Sequence, residues 1–289
     1  MSYPLDQEQI HDAFLSACQA ELEALKPGNV HIYGGGHDME VEHFERAALA
    51  AAPHIAQQGV RVGRRIRGAV EASFAAAGCN TNLGIVLLCA PAAYAAGEAI
   101  PGQALPVKLA KVLANLDAID ARETFAAIAH ANPGGLGAAE KGDVRNTAEM
   151  TLREAMALAA DRDRIAMAYV TDFADIFEFA LPLLKRAREK AATPELAVST
   201  LHIGLLAEFP DTHVARKYGH SAAAQLRDEA RRIAALIDPV VTPDAVPLLG
   251  EFDASMKARG LNPGTTADFV VATLFIAGLI GEIRLGGSA

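Results

Sequence analysis

The chain has no Trp, and aromatic residues make up only 6% of its 289 positions. Its hydrophobic share of 51% comes largely from Ala and Leu, with few of the β-branched and aromatic clusters that strands favour. No pair of strands joined by a hairpin turn is indicated. We therefore predict an all-α fold: a single compact multi-helix domain over residues 1–289, with buried central helices and an active site carried on loops.

Apolar residues recur at helical spacing along most of the chain. The predicted helices cover about 7–25, 40–57, 61–77, 81–97, 118–131, 147–160, 163–189, 194–208, 218–237, 243–258 and 265–284. Between them lies a Gly-rich loop at about 132–146, which is long for a compact domain.

Cysteine and positive charge are also scarce. The three cysteines include no Cys-x-x-Cys pair, which argues against a disulfide framework and favours a reduced, cytoplasmic setting. Lys and Arg together number 26 against 35 for Asp and Glu, so the formal net charge is −9. Because phosphate backbones are bound by clustered cations, a nucleic-acid partner is not expected.

Long hydrophobic runs are missing as well. The longest, residues 85–96 and 269–280, are shorter than the ~20 apolar residues that cross a bilayer. The N-terminus lacks the basic start and the apolar stretch of a signal peptide. We therefore expect no membrane segment, and we predict that both runs form buried core helices.

Several familiar catalytic motifs are absent. The sequence has no G-x-x-x-x-G-K-[ST], no strand-linked G-x-G-x-x-G, no H-E-x-x-H and no G-x-S-x-G, so the enzyme classes that these motifs mark are not expected. The histidines show no metal-ligand spacing with cysteine, which argues against a structural zinc site.

Small polar residues precede both apolar runs, at 78–84 and at 260–266. The free N–H groups and the positive dipole end of a helix start form an anion site. Helix capping alone is the alternative, since Asn, Thr and Ser are common at helix starts.

The loop after the first predicted helix concentrates polar groups. Lys26, Asn29, His31, His37 and Asp38 supply a cation, an amide, two imidazoles and a carboxylate, and the intervening Gly residues let the backbone bring them together. The alternative is a helix end with a Lys on its dipole and solvent-exposed histidines.

Carboxylates and cations elsewhere have two interpretations each. Glu71 lies in an otherwise apolar stretch, where it is either paired or bound to a cation, or lies on the exposed face of its helix. Asp161 and Asp172, with Asp175 nearby, would lie on one face of a continuous helix, which suits Mg²⁺ or surface ion pairs. Asp211 precedes the adjacent Arg216 and Lys217, a pair that suits a polyphosphate or an ordinary basic helix end.

Five blocks in order, at 26–31, 78–84, 163–166, 211–219 and 262–268, resemble the triphosphoribosyl-dephospho-CoA synthase family over nearly the whole chain. The resemblance implies an all-helical transferase that uses ATP as a substrate. In that reaction the 2′-hydroxyl of 3′-dephospho-CoA displaces adenine at the ribose C1′ of ATP, and the triphosphate stays attached. The product is a precursor of the prosthetic group of certain acyl carrier proteins.

The resemblance also implies roles for the residues that match. Those for acid or base chemistry are His31, His37 and Asp38. Those for Mg²⁺ or hydroxyl activation are Glu71, Asp163 and Asp268. Those for substrate and phosphate are Lys26, Asn29, Asn80, Thr81, Asn82, Gly84, Asp211, Arg216, Lys217, Gly264, Thr265 and Thr266.

The chain departs from the family at the first helix start. Family members commonly have Asn-Thr-His-Lys where this chain has Asn-Thr-Asn-Leu at 80–83, a form that resembles a divergent branch found in organisms that make one-carbon carrier cofactors of the methanopterin or methanofuran type. One alternative is therefore an enzyme acting on a phosphorylated or nucleotide-activated intermediate of such a pathway. A second is a non-catalytic nucleotide-binding protein. The Ala-rich helices also leave room for a homodimer contact.

Overall fold

The computed structural model describes residues 4–35, 39–100, 102–133 and 149–282. These residues form fourteen α-helices, one π-helix, one 3₁₀-helix and no β-strand, which confirms the all-α prediction. The α-helices are α1 (Gln7–Glu23), α2 (Val41–Ala56), α3 (Val62–Ala77), α4 (Leu83–Gly97), α5 (Leu105–Ala114), α6 (Ala118–Ala131), α7 (Leu152–Ala157), α8 (Arg164–Val170), α9 (Leu181–Lys190), α10 (Pro194–Glu208), α11 (Thr212–Tyr218), α12 (His220–Leu236), α13 (Val246–Ala258) and α14 (Gly264–Leu279). The π-helix is Asp175–Ala180 and the 3₁₀-helix is Pro243–Ala245.

The chain divides into two compact units. Unit 1 comprises Met1–Ala17, His43–Ala174 and Phe275–Ala289, and unit 2 comprises Cys18–Glu42 and Asp175–Leu274. In chain order, α1 and α14 each have residues in both units. The single domain that the sequence predicts stays a prediction.

Unit 1 is built around the apolar helix α4, which is buried on all sides. This agrees with the prediction of a core helix, because a helix without a polar face must be covered by others. A close approach of α3 and α6 requires Gly63, since an added Cβ would lie 2.6 Å from the Cα of Asp120. Tyr169 of α8 reaches the same core and donates from its hydroxyl to the Leu87 carbonyl oxygen at 2.6 Å.

Unit 2 has its own core, formed by apolar side chains of α10 to α13. Leu206, Leu226, Leu249 and Met256 are almost fully buried in it. Helix α10 packs against both α9 and α12, so its polar residues are enclosed together with its apolar ones. These include His202 and Thr200, which are buried.

The continuous helix predicted over 163–189 is wrong. Helix α8 ends at Val170, and Asp172 and Phe173 have φ angles of 53° and 65°, which an α-helix cannot contain. Phe173 is fully buried, so burial of this aromatic ring stabilises a break that helical periodicity does not indicate. Two short helices, α5 and α11, were not predicted.

No helix among the described residues is long and apolar enough to span a membrane. Cys18, Cys79 and Cys89 are free, and burial raises the pKa of the Cys18 thiol. The Gly-rich loop predicted at 132–146 lies outside the described residues from 134 onwards.

Candidate functional site

The candidate site lies in unit 2, where the loop after α1 is held by buried charge. Lys26 is fully buried, and its ammonium donates to the Glu21 carboxylate, to the Val30 carbonyl oxygen at 2.7 Å and to Asn29 Oδ1 at 3.4 Å. Burial lowers the pKa of Lys26 and raises that of Glu21, and the attraction between the two charges opposes both shifts. Lys26 thus has all three of its protons directed at protein atoms.

Gly28 brings this loop against helix α13. Its φ of +81° is in the left-handed region, and an added Cβ would lie 2.3 Å from Met256 Cε and 2.9 Å from Pro263 Cδ. The Gly28 N–H donates to Asp253 Oδ1 at 2.8 Å. A glycine is therefore required both by the backbone conformation and by the close approach.

Asn29 fastens the same loop to the segment before α14. Its amide nitrogen donates to Asn262 Oδ1 at 2.9 Å, and its own Oδ1 accepts from the Val30 N–H at 2.9 Å. Both asparagines are buried. The pair joins two blocks of sequence that lie more than two hundred positions apart.

His31 is the residue of this loop with unused hydrogen-bonding capacity. It is 2% exposed, and its Nε2 lies 3.4 Å from Asp253 Oδ2 and 3.3 Å from Lys257 Nζ. Within the described residues, its Nδ1 has no hydrogen-bond partner. Burial lowers the pKa of His31, although its hydrogen bond with Asp253 opposes the shift. The imidazole is therefore neutral near pH 7.

Asp253 and Lys257 lie one turn apart on α13 and face this histidine. Lys257 Nζ is 3.1 Å from Asp253 Oδ2 and donates to the Gly34 carbonyl oxygen at 3.1 Å. Burial opposes ionisation of Asp253, but hydrogen bonds from His31, Gly28 and Lys257 outweigh it and lower the pKa of this carboxyl group. Asp253 is consequently charged, and Lys257 balances the charge.

A second histidine supports the loop from α10. His202 is fully buried, with Nε2 at 3.2 Å from the Pro27 carbonyl oxygen. Because a carbonyl oxygen only accepts, Nε2 carries the proton. Burial lowers the pKa of His202 to about 3, so this ring is neutral as well.

The predicted helix start at 260–266 meets the start of α11 in the same unit. The buried Asp211 carboxylate accepts from the Val214 N–H at 2.9 Å and from the N–H and hydroxyl of Thr266, each at 2.8 Å. Thr265 Oγ1 accepts from the His213 N–H at 3.1 Å. An aspartate of the chain therefore occupies donors that the sequence predicts for phosphate.

The remaining predicted residues of unit 2 lie around these helix starts. Gly264 begins α14, and an added Cβ there would lie 2.8 Å from His213 Nδ1. Arg216 is half-buried and Lys217 is exposed, both in the last turn of α11. Asp268 is half-buried in the first turns of α14.

In unit 1, the predicted residues at the start of α4 form a small hydrogen-bonded turn. Asn82 donates to Ser73 Oγ at 3.0 Å, and Asn80 Oδ1 accepts from the Leu83 N–H at 3.3 Å. Thr81 Oγ1 is buried without a partner in the part of the chain that the structure describes. Gly84 is buried in the first turn of α4.

The two carboxylates predicted for unit 1 have local partners. Glu71 is exposed on α3 and accepts from Arg67 Nε at 2.8 Å, as the exposed-face interpretation expects. Asp163 caps α8, with Oδ1 accepting from the N–H groups of Ile165 at 2.8 Å and Ala166 at 3.1 Å. His37 and Asp38 lie outside the described residues.

Four ionisable residues around the loop after α1 were not predicted from the sequence: Glu21, His202, Asp253 and Lys257. Asp253 and Lys257 form an i,i+4 acid–base pair, which on sequence alone is indistinguishable from a pair on a helix surface. Asn262, which accepts from Asn29, does carry a signal, because it lies in the block at 262–268.

Fold and site together define an all-helical protein that concentrates buried ionisable groups with shifted pKa values around one loop, as enzymes of small-molecule chemistry do. The fold is similar to the crystal structure of a protein from Archaeoglobus fulgidus that is provisionally assigned as a triphosphoribosyl-dephospho-CoA synthase. The TM-score is 0.63 at 22% identity, over 81% of this chain and 98% of that chain.

The family model described as CitG, ATP:dephospho-CoA triphosphoribosyl transferase, matches residues 7–285. The chain therefore belongs to the CitG family and is a transferase, which confirms the resemblance found in the five sequence blocks. The comparisons do not favour the two alternatives, the enzyme of a one-carbon cofactor pathway and the non-catalytic nucleotide-binding protein.

Proposed function

We propose that this chain transfers the triphosphoribosyl group of ATP to the 2′-hydroxyl of 3′-dephospho-CoA, with His31 as the base. In this step the bond between C1′ and adenine N9 breaks and a bond between C1′ and the acceptor oxygen forms. The hydroxyl gives up its proton and the departing adenine gains one, so the protons balance. Family membership over residues 7–285 supports the reaction.

One structural observation supports the choice of base. A general base must be unprotonated at the working pH and must have a free lone pair within reach of the substrate. His31 has a lowered pKa, and its Nδ1 has no partner within the described residues. Because Nδ1 is itself buried, the proposal requires the acceptor hydroxyl to displace groups that cover the ring. His202 has the same ring but binds the loop backbone through Pro27, so we assign it to support.

Phosphate binding, in our proposal, falls first to Arg216 and Lys217. Adjacent cations suit a triphosphate, and Lys217 is exposed. Lys26, Asp211 and Thr266 have their polar atoms bonded to protein groups, so a direct contact with phosphate would require these bonds to be exchanged. We propose that they shape the site instead.

In our proposal, Mg²⁺ binds only together with the triphosphate of ATP. Among the described residues, no three His, Cys, Asp or Glu side chains are grouped so that they could hold a metal ion. The predicted carboxylates Glu71 and Asp163 are bonded to Arg67 and to helix N–H groups. In the part of the chain that the structure describes, the ion therefore has no cage built from three such side chains.

The test is an assay for free adenine by chromatography, with ATP, Mg²⁺ and 3′-dephospho-CoA. We expect one adenine for each triphosphoribosyl product identified by mass, and none without the acceptor. His31→Asn should abolish release, whereas His220→Asn, which changes an exposed histidine of the same unit, should leave it unchanged. If the wild-type protein releases no adenine with this acceptor, the proposed reaction is wrong.

A further inference from the structure

Helix α13 presents two charged side chains to one atom of His31. Asp253 Oδ2 and Lys257 Nζ lie 3.4 Å and 3.3 Å from Nε2, while Nδ1 is buried on the other side of the ring. We propose that Asp253 and Lys257 are positioning residues that hold His31 as the Nε2–H tautomer and so make Nδ1 the atom that takes the proton from the acceptor hydroxyl. This inference rests on the proposed function.

The tautomer follows from what each neighbour can donate or accept. A carboxylate only accepts and an ammonium only donates, so Nε2 either donates to Asp253 at 3.4 Å or accepts from Lys257 at 3.3 Å. With Nε2–H directed at Asp253, Lys257 still has two acceptors, Asp253 Oδ2 and the Gly34 carbonyl oxygen, each at 3.1 Å. In the opposite tautomer Nε2 would accept from Lys257, and a buried Nδ1–H would be left without an acceptor among the described residues. Buried N–H groups without an acceptor are rare because they are costly.

Burial is the main cause of the lowered pKa that keeps the His31 ring neutral, and the charges around the ring act on that pKa in both directions. Lys257 and Asp253 face the ring from α13, Lys26 with its partner Glu21 from the end of α1, and His202 from α10. Tyr33 is in ring contact, with centroids 5.9 Å apart. Lys26 is paired with Glu21, and Lys257 is paired with Asp253. The imidazole is therefore not needed to balance a charge and can exchange a proton.

Asp253→Asn removes the acceptor that fixes the tautomer. The asparagine amide can donate to Nε2, which would place the proton on Nδ1 and block it as a base. Since general base catalysis contributes roughly 10²–10⁴-fold to a rate, we expect kcat to fall by that factor with KM little changed. Asp253→Glu should restore part of the activity. Glu251→Gln, an exposed carboxylate on the same helix, should have no effect.

The Lys257→Met variant tests the electrostatic role of Lys257, because loss of a purely structural role would not shift the pH profile of kcat. Without its ammonium, the charge of Asp253 acts on His31 unopposed and raises the pKa of the imidazole. Because the base must be unprotonated, the acidic limb of the kcat profile should move to higher pH by about one unit. Activity well above this limb should be close to that of the wild type. An unshifted limb contradicts the proposed role of Lys257.

The tautomer itself is measured without substrate, by ¹⁵N NMR of protein labelled at histidine, with His31→Asn to assign the resonance. We expect an unprotonated Nδ1 and a protonated Nε2 in the wild type, and the reverse in Asp253→Asn. A protonated Nδ1 in the wild type overturns the inference. So does full activity of Asp253→Asn. If Asp253→Asn does not fold, the wild-type spectrum and Lys257→Met still decide. A failure of the adenine assay alone rejects the reaction and leaves the tautomer to NMR.

Discussion

Two buried histidines contact the same loop, yet their surroundings give them different tasks. In His31, Nε2 contacts the Asp253–Lys257 ion pair, and Nδ1 has no hydrogen-bond partner within the described residues. In His202, Nε2 donates to the Pro27 carbonyl oxygen. Lys26, Asn29 and His31 are predictable as one cluster from the sequence, because they share a loop. Asp253 is not predictable in this way, because its partners His31 and Gly28 lie in a distant part of the chain. Its spacing to Lys257 is the same as that of any ion pair on a helix surface.

His202 leads to a prediction about pH. Its pKa is about 3 in the folded protein against an ordinary value of 6.5, so the unfolded chain binds more protons between these values. The stability contribution is therefore fully present above pH 6.5 and is lost as the pH falls towards 3, by at most about 1.4 kcal/mol per unit. In His202→Gln, the free energy of unfolding should depend less steeply on pH in this window.

Urea unfolding at a series of pH values measures this slope. The control is His220→Gln, an exposed residue in the same unit, which should keep the wild-type slope. Equal slopes in His202→Gln and the wild type would show that the ring is not held neutral by the fold.

At the scale of elements, the sequence pattern predicts those helices correctly that have a long apolar pattern. It does not predict helices whose ends depend on tertiary contacts. Helix α3 was predicted over 61–77 and spans Val62–Ala77, and α10 was predicted and found over 194–208. Helix α11 has only 7 residues, of which Val214 and Ala215 are buried, which is too few to show a period. Its start depends on Asp211, whose second partner is Thr266 on another helix.

Asp211 gives the prediction that belongs to this scale. Asp211→Ala leaves the Val214 N–H and both donors of Thr266 without their acceptor. Buried donors without a partner are costly, and bonds to charged groups are the stronger ones, so the free energy of unfolding should fall by at least about 2 kcal/mol. Thr193→Ala removes only the cap of α10, one bond of 3.4 Å to the Leu196 N–H, and should cost about 1 kcal/mol.

Chemical denaturation of both variants tests the comparison. A loss in Asp211→Ala no greater than that in Thr193→Ala would mean that the carboxylate does not join the two helix starts.

At the scale of the whole molecule, the two units can unfold in one transition or in two. Each of α1 and α14 runs from residues of one unit into residues of the other. Because propagating a helix is cooperative, loss of either unit removes the packing of helical residues that continue into the other one. A chain connected in this way should unfold in one transition, as the single domain predicted from the sequence requires.

The absence of Trp from the sequence makes this directly measurable. Phe125 in unit 1 and Phe252 in unit 2 are 5% and 7% exposed, so Phe125→Trp and Phe252→Trp each introduce one fluorophore that reports on its own unit. In urea, we expect the fluorescence transition of each variant to coincide with its own circular dichroism transition. Comparing two probes within one variant removes the effect of the substitution on stability. A fluorescence midpoint that departs from the dichroism midpoint in either variant would show that the units unfold separately, and the chain would then be two domains.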